Sequence, residues 1–482
     1  MVYEFSGAPE TPTDWMHYLE GKLAVQQGRN DKYQKYYDSE ERVLAFAQKK
    51  FAEEFGGMFV DWRDNFCSLV VDSISERLNV RGFRMSEQPE ADKDAQEIWQ
   101  RNFLDADSNA AHIAALVSGR SYLAVWGDKD DNPIISPETS SEVVVQYKPG
   151  SRRELQAGLK QYRDDWGTDY CTLWTPEAVY TSTRGAGKNG WGDPKRESNP
   201  LGVVPLVALE NRARLRRTIP YSEIHPVIPL QDAITKIAAD AIVASEFAAY
   251  PQRVLAGIEI PVDENGNEIA PVRAAIDRMF LLEDKDARWG QFEAADLNNY
   301  VNLINMLVQH ISTISRVPPH YFLINGGQAP SGESIQSAEA GLVAKARERQ
   351  LHFGEAWEQA MRLAFKVKGD SRAEAWHAET IWDDPEYRSE GVRVDALVKL
   401  RQGLGVPRKQ LWEDYGYTPS QIERFEQMAK DEQKAVIEEQ RALAAVTGAQ
   451  GGSAPAGNGT KAGDKQAPGN AGNNARKTGE VK

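Results

Sequence analysis

The sequence predicts an α+β protein that is mostly helical, and three observations carry this. Long segments at 229–249, 297–314 and 333–366 hold apolar residues at helical spacing. A block from residue 122 to 184 instead shows β-branched and aromatic runs bounded by turn residues. The 482-residue chain is 41% hydrophobic and 27% charged, as expected of a protein with a substantial core, and its length suits two to four domains or one elongated, many-part subunit.

Residues 10–60 read as helical with breaks. Asp61 to Val80 places Trp62, Phe66, Leu69, Val70, Ile74 and Leu78 on one helical stripe. RGFRM (81–85) then reads as a short strand, and Ala106 to Ser118 as a helix stopped by Gly119. Tyr122–Trp126 and Val143–Tyr147 read as strands, and 155–167 and 170–185 continue this strand-rich region. Residues 185–202, GAGKNGWGDPKRESNPLG, read as a loop from their Gly, Pro and Asn content.

Helix returns at Pro229, with Ile234, Ile237, Ala241 and Ala244 on one face. Its many small residues (Ala233, Ala238, Ala239, Ala244, Ser245 and Ala248) allow neighbouring helices to approach closely, and Pro251 marks its end. Residues 252–293 are mixed, with a DENGNE turn between two candidate strands. The next helix has an apolar stripe of Leu297, Tyr300, Val301, Ile304, Leu307, Val308, Ile311 and Ile314. Its other face is Asn298, Asn299, Asn302, Asn305, Gln309 and Thr313, polar but almost without charge. Exposed helix faces ordinarily carry Lys and Glu, which favour helix more than Asn does.

Pro318 and Pro319 are expected to end this helix. The loop that follows, to residue 332, has Gly326 and Gly327 at a tip free to move. Ser331 restarts helix as an N-cap, and Ile335, Ala338, Leu342, Ala346, Phe353, Trp357, Ala360, Ala364 and Phe365 then hold phase over about nine turns. Residues 385–445 read as three more helices, the last opened by Thr418, Pro419 and a capping-box Gln421. From Val446 the tail is rich in Gly, Ala and Asn, has no aromatic residue, and is expected to be disordered.

The net charge of −14 argues against a protein that grips nucleic acid through clustered Lys and Arg. Cys67 and Cys171 are too few for a Cys-rich zinc site and read as free, buried thiols. The N-terminus has no signal-peptide pattern, and no apolar run is long enough to span a membrane. TSTRGAGKNG is not a Walker A loop, because Ser182 stands where a Gly is needed and Asn189 follows Lys188. The seven histidines form no metal-binding or H-E-x-x-H pattern. DDNP and DENGNE lack the spacing of calcium loops. The acids of WDDPEYRSE (382–390) read more simply as a helix entry than as a carboxylate cluster. No active-site constellation emerges, so neither cofactor nor metal is expected.

Five segments in order carry a resemblance: NFCSLVVDSISERLNVRGFR (65–84), SGRSYLAVWGD (118–128), NPLGVVPLVALENRAR (199–214), YSEIHPVIPLQDAITKIAADAIVASEFAAYPQRVLAG (221–257) and the stretch from VPPHYFLINGGQAPSGES to EQAMRLA (317–364). From about residue 30 to about 430 the chain resembles the portal proteins of tailed, double-stranded DNA bacteriophages, in the subfamily typical of long-tailed actinobacteriophages. The resemblance implies a phage portal fold with wing, stem, clip and crown, assembling as a dodecameric ring at one capsid vertex of the virion. The ring would be put together in the host cytoplasm with major capsid and scaffolding proteins. Terminase large subunit would drive DNA through it, and a head–tail connector would attach on the clip side.

On that resemblance, 1–228 is an N-terminal wing region, 229–250 the first stem helix, 251–294 the clip, and 295–315 the second stem helix. Residues 316–332 are a tunnel loop, 333–384 the long helix and its return into the wing, 385–445 a helical crown, and 446–482 the tail. Arg316, His320, Asn325, Gly326, Gly327 and Gln328 would face DNA from the tunnel loop, and Asn298, Asn302, Asn305 and Gln309 would line the channel. Duplex would pass without sequence reading, since an uncharged stem face holds it only weakly. Such a protein is not an enzyme. The competing readings are a non-portal scaffold or adaptor, and a nucleotide- or metal-dependent hydrolase.

Overall fold

The computed structural model describes residues 7–40, 64–85, 91–187, 190–212, 215, 219–249, 253–256, 288–291, 296–322, 332–386 and 390–449. The chain divides into two units, Met1–Ile422 and Glu423–Lys482. The first holds the sheets and the core.

Thr11 opens helix α1 (Pro12–Tyr37). Its hydroxyl accepts from the Asp14 backbone N–H, the Asp14 carboxylate accepts from the Thr11 N–H at 3.0 Å, and Pro12 fills a position that needs no donor. Helix α2 (Phe66–Ser75) is shorter than the 61–80 expectation. Asn65 caps it by accepting from the Cys67 and Ser68 N–H groups, a turn follows Ser75, and Val80 already belongs to strand β1 (Val80–Arg84). Trp62 lies outside the described residues. Then come α3 (Lys93–Arg101) and α4 (Leu104–Ser118). The stop at Gly119 is as read: its φ is 87°, and a Cβ there would lie 2.7 Å from Pro220.

The strand-rich block forms two antiparallel sheets. One has the order β3-β2-β9, from β2 (Arg120–Gly127), β3 (Pro133–Thr139) and β9 (Leu206–Glu210). The other is a meander of β4 (Val143–Tyr147), β5 (Leu155–Arg163), β6 (Asp169–Trp174), β7 (Ala178–Arg184) and β8 (Lys195–Ser198). β8 corrects the loop expected at 185–202. Its four exposed residues carry no apolar alternation, and it forms by backbone pairing with β7, leaving a charged edge that discourages further strands. Tyr122, Ala124 and Leu206 pack on Val143 and Val145 between the sheets, and a Cβ at Gly158 would collide with Leu206. Met16, Leu19 and Leu23 of α1 cover the meander at Val144, Leu159, Cys171 and Leu173. Cys67 and Cys171 are free and buried, and burial pushes both thiols up to about 12.

Helices α5 (Ile228–Ala249) and α6 (Asn298–Ser315) follow, with β10 (Arg253–Ala256) and β11 (Arg288–Gln291) between them in sequence. The 36-residue helix α7 (Gly332–Val367), about 54 Å long at 1.5 Å per residue, runs through the main core. Ser331, expected as its N-cap, lies outside the described residues. Strand β12 (Glu379–Trp382) returns to pair antiparallel with β1. Helices α8 (Glu390–Leu404), α9 (Arg408–Tyr415) and α10 (Pro419–Ala449) end the described chain. Gln421 accepts from the Thr418 N–H at 2.9 Å, so the expected capping box forms, and α10 runs past Val446, where the tail was expected to begin. The remainder of the tail lies outside the described residues. Glu390 stands in the first turn of α8, as the helix-entry reading expects, and residues 387–389 lie outside the described residues. Asp383 pairs with Arg81 at 2.6 Å, and Asp384 and Glu386 lie near Arg347.

The main core is aromatic at its centre. His112 stacks on Phe353 with centroids 5.2 Å apart and accepts from the Trp357 indole N–H at 2.9 Å, while Trp99 meets Trp357 edge-on at 4.9 Å. Burial holds His112 neutral and pushes its pKa from 6.5 down to about 3. Two measurements check this core. Trp357→Ala should cost about 3–5 kcal/mol in urea unfolding, as for other fully buried tryptophans. The neutral His112 stabilises fully above 6.5, and that contribution is lost as pH falls toward about 3, because the unfolded chain takes up the proton first. His112→Gln should therefore flatten the decline of stability between pH 6.5 and 3.

Candidate functional site

The expected stem and loop residues fall on α5, α6 and the segment after α6. The root of α5 is tied to the N-terminal helices. Gln231 accepts from the Phe66 N–H at 2.8 Å, the Tyr36 hydroxyl donates to Asp232 at 2.8 Å, and Tyr33 meets His225 at 3.0 Å. Ile234 and Ala239 are buried, whereas Ile237, Ala241 and Ala244 are only partly covered. α5 packs against α6. β10 pairs antiparallel with β11, from Arg253↔Gln291 to Ala256↔Arg288. The DENGNE turn lies outside the described residues.

From Asn298 to Ser315 no residue is Asp, Glu, Lys or Arg. Val308, Ile311, Ser312 and Ser315 form the buried face of α6. At 100° per residue, Asn298, Asn302, Gln309 and Thr313 share one edge, roughly 120° round the helix from the buried face, and all four are exposed. Asn305 is half-buried, turned toward the covered side. The apolar stripe is less buried than expected: Val301 is 54% exposed and Ile314 51%. Leu303 and Ile314 lie together on one flank between the polar edge and the buried face, and both meet solvent.

The end of α6 differs from the expected double-proline stop. The helix finishes at Ser315, and Arg316 adopts left-handed backbone with φ 62°. Val317 and Pro318 are buried, and Pro319–Phe322 forms a 3₁₀ turn whose Phe322 ring lies 5.7 Å from that of Phe66. The first third of the expected loop is thus packed structure. Its stop is the Arg316 turn, reinforced by Lys345 of α7, whose ammonium donates to the Ser315 carbonyl at 2.9 Å, where a helix C-terminus favours a cation. His320 is held as well, 3.6 Å from Glu339 and against Tyr321, and the Tyr321 hydroxyl accepts from Arg77 at 2.7 Å. Asn325, Gly326, Gly327 and Gln328 lie outside the described residues.

Lys345 belongs to a buried cluster that sequence reasoning missed. Glu223, on the segment between β9 and α5, pairs with Lys345 at 2.6 Å and with Arg349. Arg349 is fully buried. Its Nε donates to Asn211 at 3.0 Å, and Asn211 donates in turn to Glu223 at 3.0 Å. Burial alone would raise the Glu223 pKa, but Lys345 and Arg349 overcome it and hold the carboxyl at about 2. One signal was available. Position 349 lies in phase with Leu342, Ala346 and Phe353, so a cation sits inside the apolar stripe of α7. Among the described residues no helix is long and apolar enough to cross a membrane, and no group of His, Cys, Asp or Glu could hold a metal.

These features belong to a known class. The family described as "Phage portal protein, SPP1 Gp6-like" matches residues 17–437, and the chain belongs to that family. Its α+β, mostly helical architecture is the phage portal fold. Among named relatives, it is 33% identical over 388 residues to the "Portal protein" of Mycobacterium phage D29, covering 77% of this chain and 79% of that one. It is equally similar to the "Portal protein" of Mycobacterium phage L5, with 77% and 78% covered. A solved structure described as "Neck of native GTA particle computed with C12 symmetry" contains a chain that aligns with a TM-score of 0.47 at 12% identity, covering 81% of this chain and 94% of that chain, a likeness too slight to argue from.

Removing one partner from the buried cluster should be costly. Glu223→Ala leaves Lys345 and Arg349 uncompensated, and should lower unfolding stability by about 3–5 kcal/mol in urea titration at pH 7.

Proposed function

We propose that this chain acts as the portal of a tailed phage: a dodecameric ring at one capsid vertex, with the polar edge of α6 toward the passage and duplex DNA moving through during packaging and ejection. Terminase would dock for filling, and a head–tail connector would later attach on the side of the β10–β11 segment. The observation that carries the reading is α6 itself. An exposed 18-residue helix with no charged side chain, an Asn and Gln edge and an adjoining apolar flank is poorly suited to solvent on all sides. In a ring, the apolar flank with Leu303 and Ile314 meets the partly covered alanine face of a neighbour's α5, and the Asn edge meets the polymer. Lys or Arg there would release counterions and grip DNA, whereas neutral amides confine it weakly. Support comes from the family and from this helix, and the role is structural rather than catalytic.

Purified protein should form rings of ~0.65 MDa for twelve copies of the 53.8 kDa chain, with an axial hole in negative stain. A stable monomer would remove the reading. Leu303→Lys with Ile314→Glu should leave each subunit folded but block ring formation, read as mass in solution. Asn302→Lys with Gln309→Lys should keep the ring yet make DNA packaging slower and more salt-sensitive. Bulky replacements at Gly326 and Gly327 should impair packaging, and unaltered packaging would remove the tunnel-loop reading.

A further inference from the structure

We infer that a small cavity at the C-terminal end of α6 is a binding site for an oxyanion of the phosphate class. The cavity measures about 30 Å³ and lies where the last turn of α6 and the middle of α7 meet Arg212, Tyr221, Glu223 and Pro226. A single water needs about 10–15 Å³ by the same measure, so the space takes two or three water-sized groups, such as the leading oxygens of a phosphate at its mouth. It is far too small for a nucleoside, whose pockets run to several hundred Å³.

Charge selects the ligand. Four cations, Arg212, Arg316, Lys345 and Arg349, line the cavity with two carboxylates, Glu223 and Glu348. Both Glu223 oxygens are taken by Lys345 and Arg349. Glu348 gives its close contact, 2.6 Å, to Arg349 and stands 3.7 Å from Arg212. Arg316 has no ion pair among the described residues. Arg316 is therefore left with donors to spare, while Arg212 makes one long contact to Glu348 and lies over the Tyr221 ring at 5.6 Å. A free phosphate of charge about −1.5 to −2 would balance the excess and a phosphodiester would halve it. Arg212 and Arg316 also share an unusual backbone, with φ of 55° and 62°. Gly or Asn would occupy such turns at less cost, yet arginine stands at both, on opposite strands of chain facing one cavity.

The ligand is a free oxyanion or a phosphodiester of the DNA backbone, and the inference does not depend on ring formation. Thermal unfolding of the full chain, with inorganic phosphate titrated against chloride at constant ionic strength, reads the first source. Fluorescence anisotropy with a short labelled duplex reads the second. We expect a saturable effect in at least one arm, weakened about tenfold or more by Arg212→Gly or Arg316→Gly and absent from the double variant. The same variants should unfold at higher temperature than the parent without phosphate, because glycine relieves both turns. A phosphate effect alone identifies the free ion as ligand, and a duplex effect alone identifies the backbone. No saturable effect in either arm, or one that survives in the double variant, overturns the site.

Discussion

One carboxylate organises the junction on which the rest of this molecule depends. Glu223 lies 126 residues before Arg349 in sequence, yet it pairs with both buried cations of α7. Through Lys345 the same cluster closes the last turn of α6. Three chain segments are thus registered against one another by charge and hydrogen bonds, where apolar contacts would tolerate sliding. Burying three ions costs several kcal/mol of desolvation each, so such a cluster is weak evidence for stability. Its geometry is what it contributes: Ser315, Glu223, Asn211, Lys345 and Arg349 make these contacts together in one alignment of α6 and α7.

That registration gives the uncharged helix its setting. α6 presents amides on one edge and apolar side chains on the flank, and neither would order the helix in isolation. It is held from behind, by Val308 and Ile311 in the core, and from its end, by Lys345. α5 is held at its root by tyrosines of α1. In the proposed ring, rigid support behind an uncharged face would suit a passage for a long polymer. A face that bound strongly would need no such support, but it would also stall the cargo.

The long periodic elements were legible in the sequence because each carries its own signal. α5, α7 and α10 repeat apolar residues at helical spacing, and Thr418 with Gln421 announces the start of α10. Elements defined by a distant partner were not. β12 is four residues long and exists through pairing with β1, nearly 300 positions away, and β8 has no apolar residue at all. Local grammar also misled at the end of α6. Two prolines suggested the stop, while the chain stops two residues earlier at a left-handed arginine fastened by a lysine thirty residues on. The neutral Asn edge was readable, since it needs only a helical wheel. The exposure of Leu303 and Ile314 was not, because solvent access depends on what α7 and the N-terminal helices leave uncovered.

The position of α7 in the chain has a temporal consequence. Its Phe353, Trp357, Met361 and Phe365 fill a core whose other walls come largely from residues 67–135. A ribosome delivers those walls first and leaves them incomplete. At ~5–20 residues per second, roughly 10–50 s pass between the emergence of residue 135 and that of the helix which closes the core. Newly made subunits must therefore be extended through Phe365 before their main core can shut, which postpones any encounter between mature surfaces.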